Sequence, residues 1–107
     1  MALTAQEKKA RQRATPQGYA KSRQSDWKRR GIKDISYMQY LEKIVEQHSS
    51  CSICGRAIDS TSALDHDHLT GQARGVLCGP CNLMIGSMND NAALLRNAAN
   101  YLDRWAN

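Results

Sequence analysis

The chain has 107 residues, room for one small domain, and with no Phe, two Trp and four Tyr its apolar core is thin, so a metal or disulfides must help hold it. Net charge is +5, divided as +7 over residues 1–34 and −2 over the remainder, which suits a nucleic-acid partner for the basic third and equally a solvated tail. No apolar run is long enough for a signal peptide or membrane span, so no membrane partner is expected, and in a reducing cytoplasm the four cysteines read as metal ligands.

Residues 1–14, with Arg11 and Arg13, read as a frayed arm. Thr15-Pro16 offers a capping hydroxyl and a Pro at the first helical position, and Gly31 is a natural stop. The helix between them carries a narrow stripe of Tyr19, Arg23 and Trp27, and it orders on contact with the body or with DNA. Lys21, Arg23, Lys28, Arg29 and Arg30 make it basic. Residues 1–34 are thus read as a basic DNA-contacting arm and helix, and residues 35–107 as the folded body.

Ser36 and Gln39 form an S-x-x-Q capping box, and Tyr37, Leu41, Ile44, Val45 and His48 then recur at helical spacing, with His48 a partly buried packing residue. From Ser50 to Met88 the chain is turn-rich. A strand over 63–68 and a partner over 74–77 flank the loop Leu69-Thr70-Gly71-Gln72. A short helix over 81–88 follows. Asn89-Asp90 reads as the cap of a last helix whose stripe of Leu94, Leu95, Ala98, Tyr101, Leu102 and Trp105 is expected to pack into the core.

Cys51-Ser52-Ile53-Cys54 and Cys78-Gly79-Pro80-Cys81 are two C-x-x-C pairs separated by 23 residues. Each presents two thiolates from one tight turn, and two such turns complete a tetrahedron around Zn²⁺. Four thiolates close the coordination shell, so this zinc is structural and not catalytic. Between the pairs lies Asp65-His66-Asp67-His68, and Asn82 directly follows the last cysteine. Zinc would hold this strand against the helix at Asn82 so that carboxylate, imidazole and amide converge. An oxygen-ligated Mg²⁺ and a neutral imidazole base make phosphodiester hydrolysis feasible there. Against this, strict strand alternation puts Asp65 and His66 on opposite faces unless a bulge intervenes, and Asp65 and Asp67 could instead cap turns or pair with the basic arm.

At these residues the run CSICGRAIDSTSALDHDHLTGQARGVLCGPCNLMIGSMND resembles the zinc-binding core of the phage recombination endonuclease VII family. The shared pattern is C-x-x-C, D-H-D-H, a Gly-bearing turn, R-G-x-L-C and x-x-C-N. The resemblance implies an α+β, zinc-stabilised ββα-metal (His-Me finger, HNH-type) hairpin and helix, flanked by helices. It implies structural Zn²⁺ at Cys51, Cys54, Cys78 and Cys81, and a catalytic Mg²⁺ or Mn²⁺ at Asp65 and Asn82. His66 is then the general base and His68 an auxiliary group, while Arg74 either contacts a phosphate or supports the hairpin. A family acid expected three positions beyond Asn82 is replaced by Ile85, and the chain ends 26 residues after Cys81. Nicking or weakly specific duplex cleavage, leaving 5′-phosphate and 3′-hydroxyl ends, is therefore expected ahead of junction resolution. The protein is expected as a monomer or weak homodimer in the cytoplasm, phage-encoded in a host cell or bacterial. The rival reading is a zinc-dependent DNA-binding module without catalysis.

Overall fold

The computed structural model describes residue 2, residues 4–8 and residues 15–106. Helix α1 spans Pro16–Arg29, α2 Tyr37–Glu46, strand β1 Ala63–His66, β2 Ala73–Leu77, α3 Gly79–Ser87 and α4 Ala92–Arg104. The result is a small α+β protein whose two strands form one antiparallel hairpin. Arg11 and Arg13 lie outside the described residues.

The helix starts follow local chemistry. The Thr15 side chain accepts from Gly18 N at 2.9 Å, with Pro16 in the first turn. At α2 both halves of the capping box form: Ser36 Oγ accepts from Gln39 N, and Gln39 Oε1 accepts from Ser36 N.

Helix α1 does order on the body. Trp27 is buried against Tyr37 and Tyr40, with ring centroids 6.3 and 5.0 Å away. Tyr19 Oη donates to Ser60 O at 2.6 Å, and Arg23 Nη2 donates to Ser62 O at 2.8 Å. The Arg23 guanidinium also lies over the rings of Trp27 and Tyr40. The core runs from Trp27 and Ile32 through Tyr40 and Ile44 to Leu64, Val76 and Leu77, and it merges with Cys51, Cys78 and Cys81.

Two side-chain devices lock the hairpin to the rest. Gln47 pairs with β2 as a short strand would: its Oε1 accepts from Val76 N and its Nε2 donates to Val76 O, each at 2.8 Å. At the hairpin tip Gly71 has φ +78°, and Lys33 N donates to its carbonyl at 2.9 Å. A Cβ there would collide with the Gly31 carbonyl oxygen, so the tip needs glycine for both its dihedral and the close approach.

Several expectations are corrected. Helix α2 is rotated, burying Tyr40 and Ile44 while Val45 and His48 are exposed, because the aromatic cluster with Trp27 draws that face inward. Strand β1 ends at His66, since the Asp67 carboxylate caps the turn by accepting from Leu69 N and Thr70 N. Helix α3 begins at Gly79, and the cap of α4 is Asn91, whose Oδ1 accepts from Leu94 N. Helix α4 buries no residue: Leu94, Tyr101, Leu102 and Trp105 are all exposed, so its stripe is amphipathic without packing on the core.

Candidate metal cage and active-site cavity

The first C-x-x-C turn follows α2, and the second joins β2 to α3, with Cys78 as the extended residue that caps α3. The hairpin therefore leaves one cysteine pair and returns to the other. The four Sγ atoms all lie within 4.8 Å of one another, and Cys54 Sγ sits 3.6 Å from Cys78 Sγ. A tetrahedron with Zn–S bonds of about 2.3 Å has S–S edges of about 3.8 Å, so the cluster has the right size. All four cysteines are free of disulfides. Burial opposes ionisation of Cys51, but backbone N–H groups of Cys54, Cys78 and Ile53 outweigh it and lower the thiol to about 6. Cys81, hydrogen-bonded to Cys78 and crowded by the other sulfurs, is pushed up to about 12. Four thiolates this close repel one another, and a bound Zn²⁺ would offset that repulsion.

The hairpin register breaks between Leu64 and His66. Leu64 pairs with Val76 and His66 with Ala73, so β2 carries one extra residue opposite Asp65. Alternation fails at that point, and Leu64 and Asp65 are buried in succession. Asp65 and His66 line one cavity of about 560 Å³ together with His68, Asn82, Ile85 and Asp90. Arg23 and Arg30 of the α1 side line it too, whereas Lys21, Lys28 and Arg29 are exposed elsewhere on the helix. Arg29 and Arg30 pair with Asp26 at 3.3 and 3.0 Å, exposed contacts of small energetic weight.

Beside the cavity Arg74 grips Asp65 as a fork, Nε to Oδ2 at 2.6 Å and Nη2 to Oδ1 at 3.0 Å. The same Nη2 lies 3.3 Å from Asp90 Oδ2, which also meets His68 Nδ1 at 2.7 Å. The hydrogen bond from His68 holds the Asp90 carboxyl below its ordinary range. His66 lies beside His68, with ring centroids 4.5 Å apart and planes tilted by 50°. Burial, then the neighbouring His68, lowers the His66 pKa, so its imidazole is neutral near pH 7. Asp90 and Gln47 are the residues that motif reading missed. In the sequence Asp90 reads as a helix cap, and no local signal marks Gln47 as a partner of β2.

Fold and site define a small α+β protein in which a four-thiol cage clamps a hairpin and a helix around a carboxylate–imidazole–amide cavity. The model of the recombination endonuclease VII family matches residues 27–104, and the chain belongs to that family. It is 42% identical over 59 residues to the Gene 59 protein of Mycobacterium phage D29, covering 52% of this chain and 36% of that protein. To the Gene 59 protein of Mycobacterium phage L5 it is 39% identical over 75 residues, 67% of this chain and 44% of that protein. The chain thus spans less than half the length of these relatives. No solved structure matches it. No helix among the described residues is long and apolar enough to cross a membrane.

Proposed function

We propose that the protein is a divalent-metal-dependent DNA endonuclease of the HNH, His-Me finger type, clamped by a structural Zn²⁺ on Cys51, Cys54, Cys78 and Cys81. The observation that carries this reading is the cavity that Asp65, His66 and Asn82 line together. Family membership supports nuclease chemistry, and the hairpin followed by α3 fits a ββα-metal arrangement.

The donor set fits a hard divalent cation: a buried carboxylate, an amide with no hydrogen bond among the described residues, and a shielded, unpartnered Asp90 Oδ1 in the same cavity. Asp65 and Asn82 would hold Mg²⁺ or Mn²⁺, which when bound would neutralise charge developing on the scissile phosphate and leaving oxygen. Neutral His66 takes a proton from water as its oxygen bonds to phosphorus. The bond from phosphorus to the 3′ oxygen breaks, and that oxygen is protonated from solvent, giving 5′-phosphate and 3′-hydroxyl ends. His68 assists at the phosphate. DNA is held along α1 by Lys21, Lys28, Arg29 and Arg30, with Arg23 at the cavity, Arg74 beside Asp65, and Arg11 and Arg13 in the preceding arm. The phage origin of the two relatives supports action in the cytoplasm of an infected bacterium.

One observation favours a second reading, a zinc-dependent DNA-binding module: both Asp65 oxygens are already engaged by Arg74. Zinc-loaded protein incubated with supercoiled plasmid separates the two. Nicked circles that ligase reseals, formed with Mg²⁺ or Mn²⁺ and absent without them, support the endonuclease. Salt-sensitive binding with an intact plasmid under every metal supports the module.

A further inference from the structure

Asp90 sits in the link between α3 and α4, outside every motif that marks the cavity. Asn89 and Asp90 both adopt left-handed backbone, φ 53° and 56°, a conformation L-residues adopt sparingly and rarely in succession. The reversal is held by Asn89 N donating to Gly86 O and Asp90 N donating to Ile85 O, at 3.0 and 2.9 Å. It returns the Asp90 side chain onto the hairpin. There Oδ2 accepts from His68 Nδ1 at 2.7 Å and lies 3.3 Å from Arg74 Nη2, while Oδ1 is shielded from solvent with no hydrogen-bond partner. The exit of α2 at His48-Ser49 makes the same double left-handed turn, but a helix exit by itself does not need a shielded, half-satisfied carboxylate. The Asp90 carboxylate is instead built into a chain, Asp65–Arg74–Asp90–His68, that joins both strands to the α3–α4 link.

His68 is the loosest member of the site. Its side chain is 61% exposed, and its only anchor among the described hydrogen bonds is Asp90. We propose that Asp90 is the positioning residue for His68, fixing Nδ1 as the ring's donor nitrogen and leaving Nε2 as an acceptor for a water held at the DNA phosphate. A carboxylate on one ring nitrogen sets both the tautomer and the orientation of the other. This inference rests on the endonuclease reading for what His68 does, but the tautomer itself is observable without catalysis.

The test measures His68 ring ¹⁵N shifts at pH 8 in zinc-loaded protein without added Mg²⁺, alongside plasmid-nicking rates with Mg²⁺. Wild type is expected in the Nδ1–H form. Asp90→Ala should move His68 towards the Nε2–H form that prevails in water and slow nicking about 10- to 100-fold, with zinc content unchanged. Asp90→Glu should recover part of both. The double variant Asp90→Ala/His68→Ala should nick no more slowly than His68→Ala alone, because Asp90 acts through that ring. If Asp90→Ala loses zinc, Asp90→Leu, which keeps much of the volume but has no acceptor, carries the same measurements. An unchanged tautomer overturns the proposal, as does additive loss in the double variant. A wild type that nicks nothing yet shows the Asp90-dependent tautomer contradicts the endonuclease reading alone.

Discussion

A general base must be both within reach of water and unprotonated, and His66 meets the second condition through its surroundings. Burial and His68 lower its pKa, and Arg74 acts in the same direction; Asp65 and Asp90 oppose them without reversing the outcome. The base form is lost as pH falls through the folded pKa, so the acid limb of the single-turnover cleavage profile should centre below the ordinary imidazole value of 6.5. A limb centred above 6.5 contradicts the assignment. The cysteines were legible in the sequence because a C-x-x-C turn is a local geometry, complete within four residues. Asp65 and His66 were legible as chemistry but not as members of one cavity, because that cavity is completed by Asn82 and Asp90 from elsewhere in the chain. Asp90 was invisible as a site residue: its contacts are made 16 and 22 residues away, to Arg74 and His68.

At the level of elements, the hairpin is held at both ends. The cage anchors its base, and the Gly71 carbonyl ties its tip to Lys33 at the exit of α1. Gly71→Ala places a Cβ against the Gly31 carbonyl oxygen and forces a side chain into left-handed backbone. The dihedral alone costs about 1 kcal/mol, and the backbone collision adds to it. The melting temperature of the zinc-loaded protein should therefore fall by at least about 5 °C, whereas an unchanged value would show that the tip is not tied. Starts of α1 and α2 were legible because Thr15-Pro16 and the Ser36/Gln39 box act within one turn. The burial of α4 was misread because a 3.6-residue period reports that a helix has an apolar face, and says nothing of what covers it. Helix α2 was misread by part of a turn for the same reason, its inward face being chosen by Trp27 of a different helix.

Across the whole molecule, the core of the described residues is two buried aromatics, six buried aliphatics and three buried cysteines, and the proposed zinc in the cage would reinforce it. Zinc held by four thiolates contributes about 10–16 kcal/mol at neutral pH, as much as the entire net stability of a typical domain. Removal of zinc by a strong chelator should abolish near-UV circular dichroism and disperse the cavity, and zinc, not Mg²⁺, should restore both. A chelated protein that keeps its tertiary signal would mean the apolar core suffices.

The central claim is that the cage, the bulged hairpin and α3 exist to hold one imidazole beside one carboxylate and one amide. Its most direct test is His66→Ala, because the substitution touches neither the cage nor the core. The variant should retain zinc and DNA affinity while Mg²⁺-dependent nicking of supercoiled plasmid falls by at least about 100-fold. Nicking at the wild-type rate by a variant preparation free of contaminating nuclease would contradict the account.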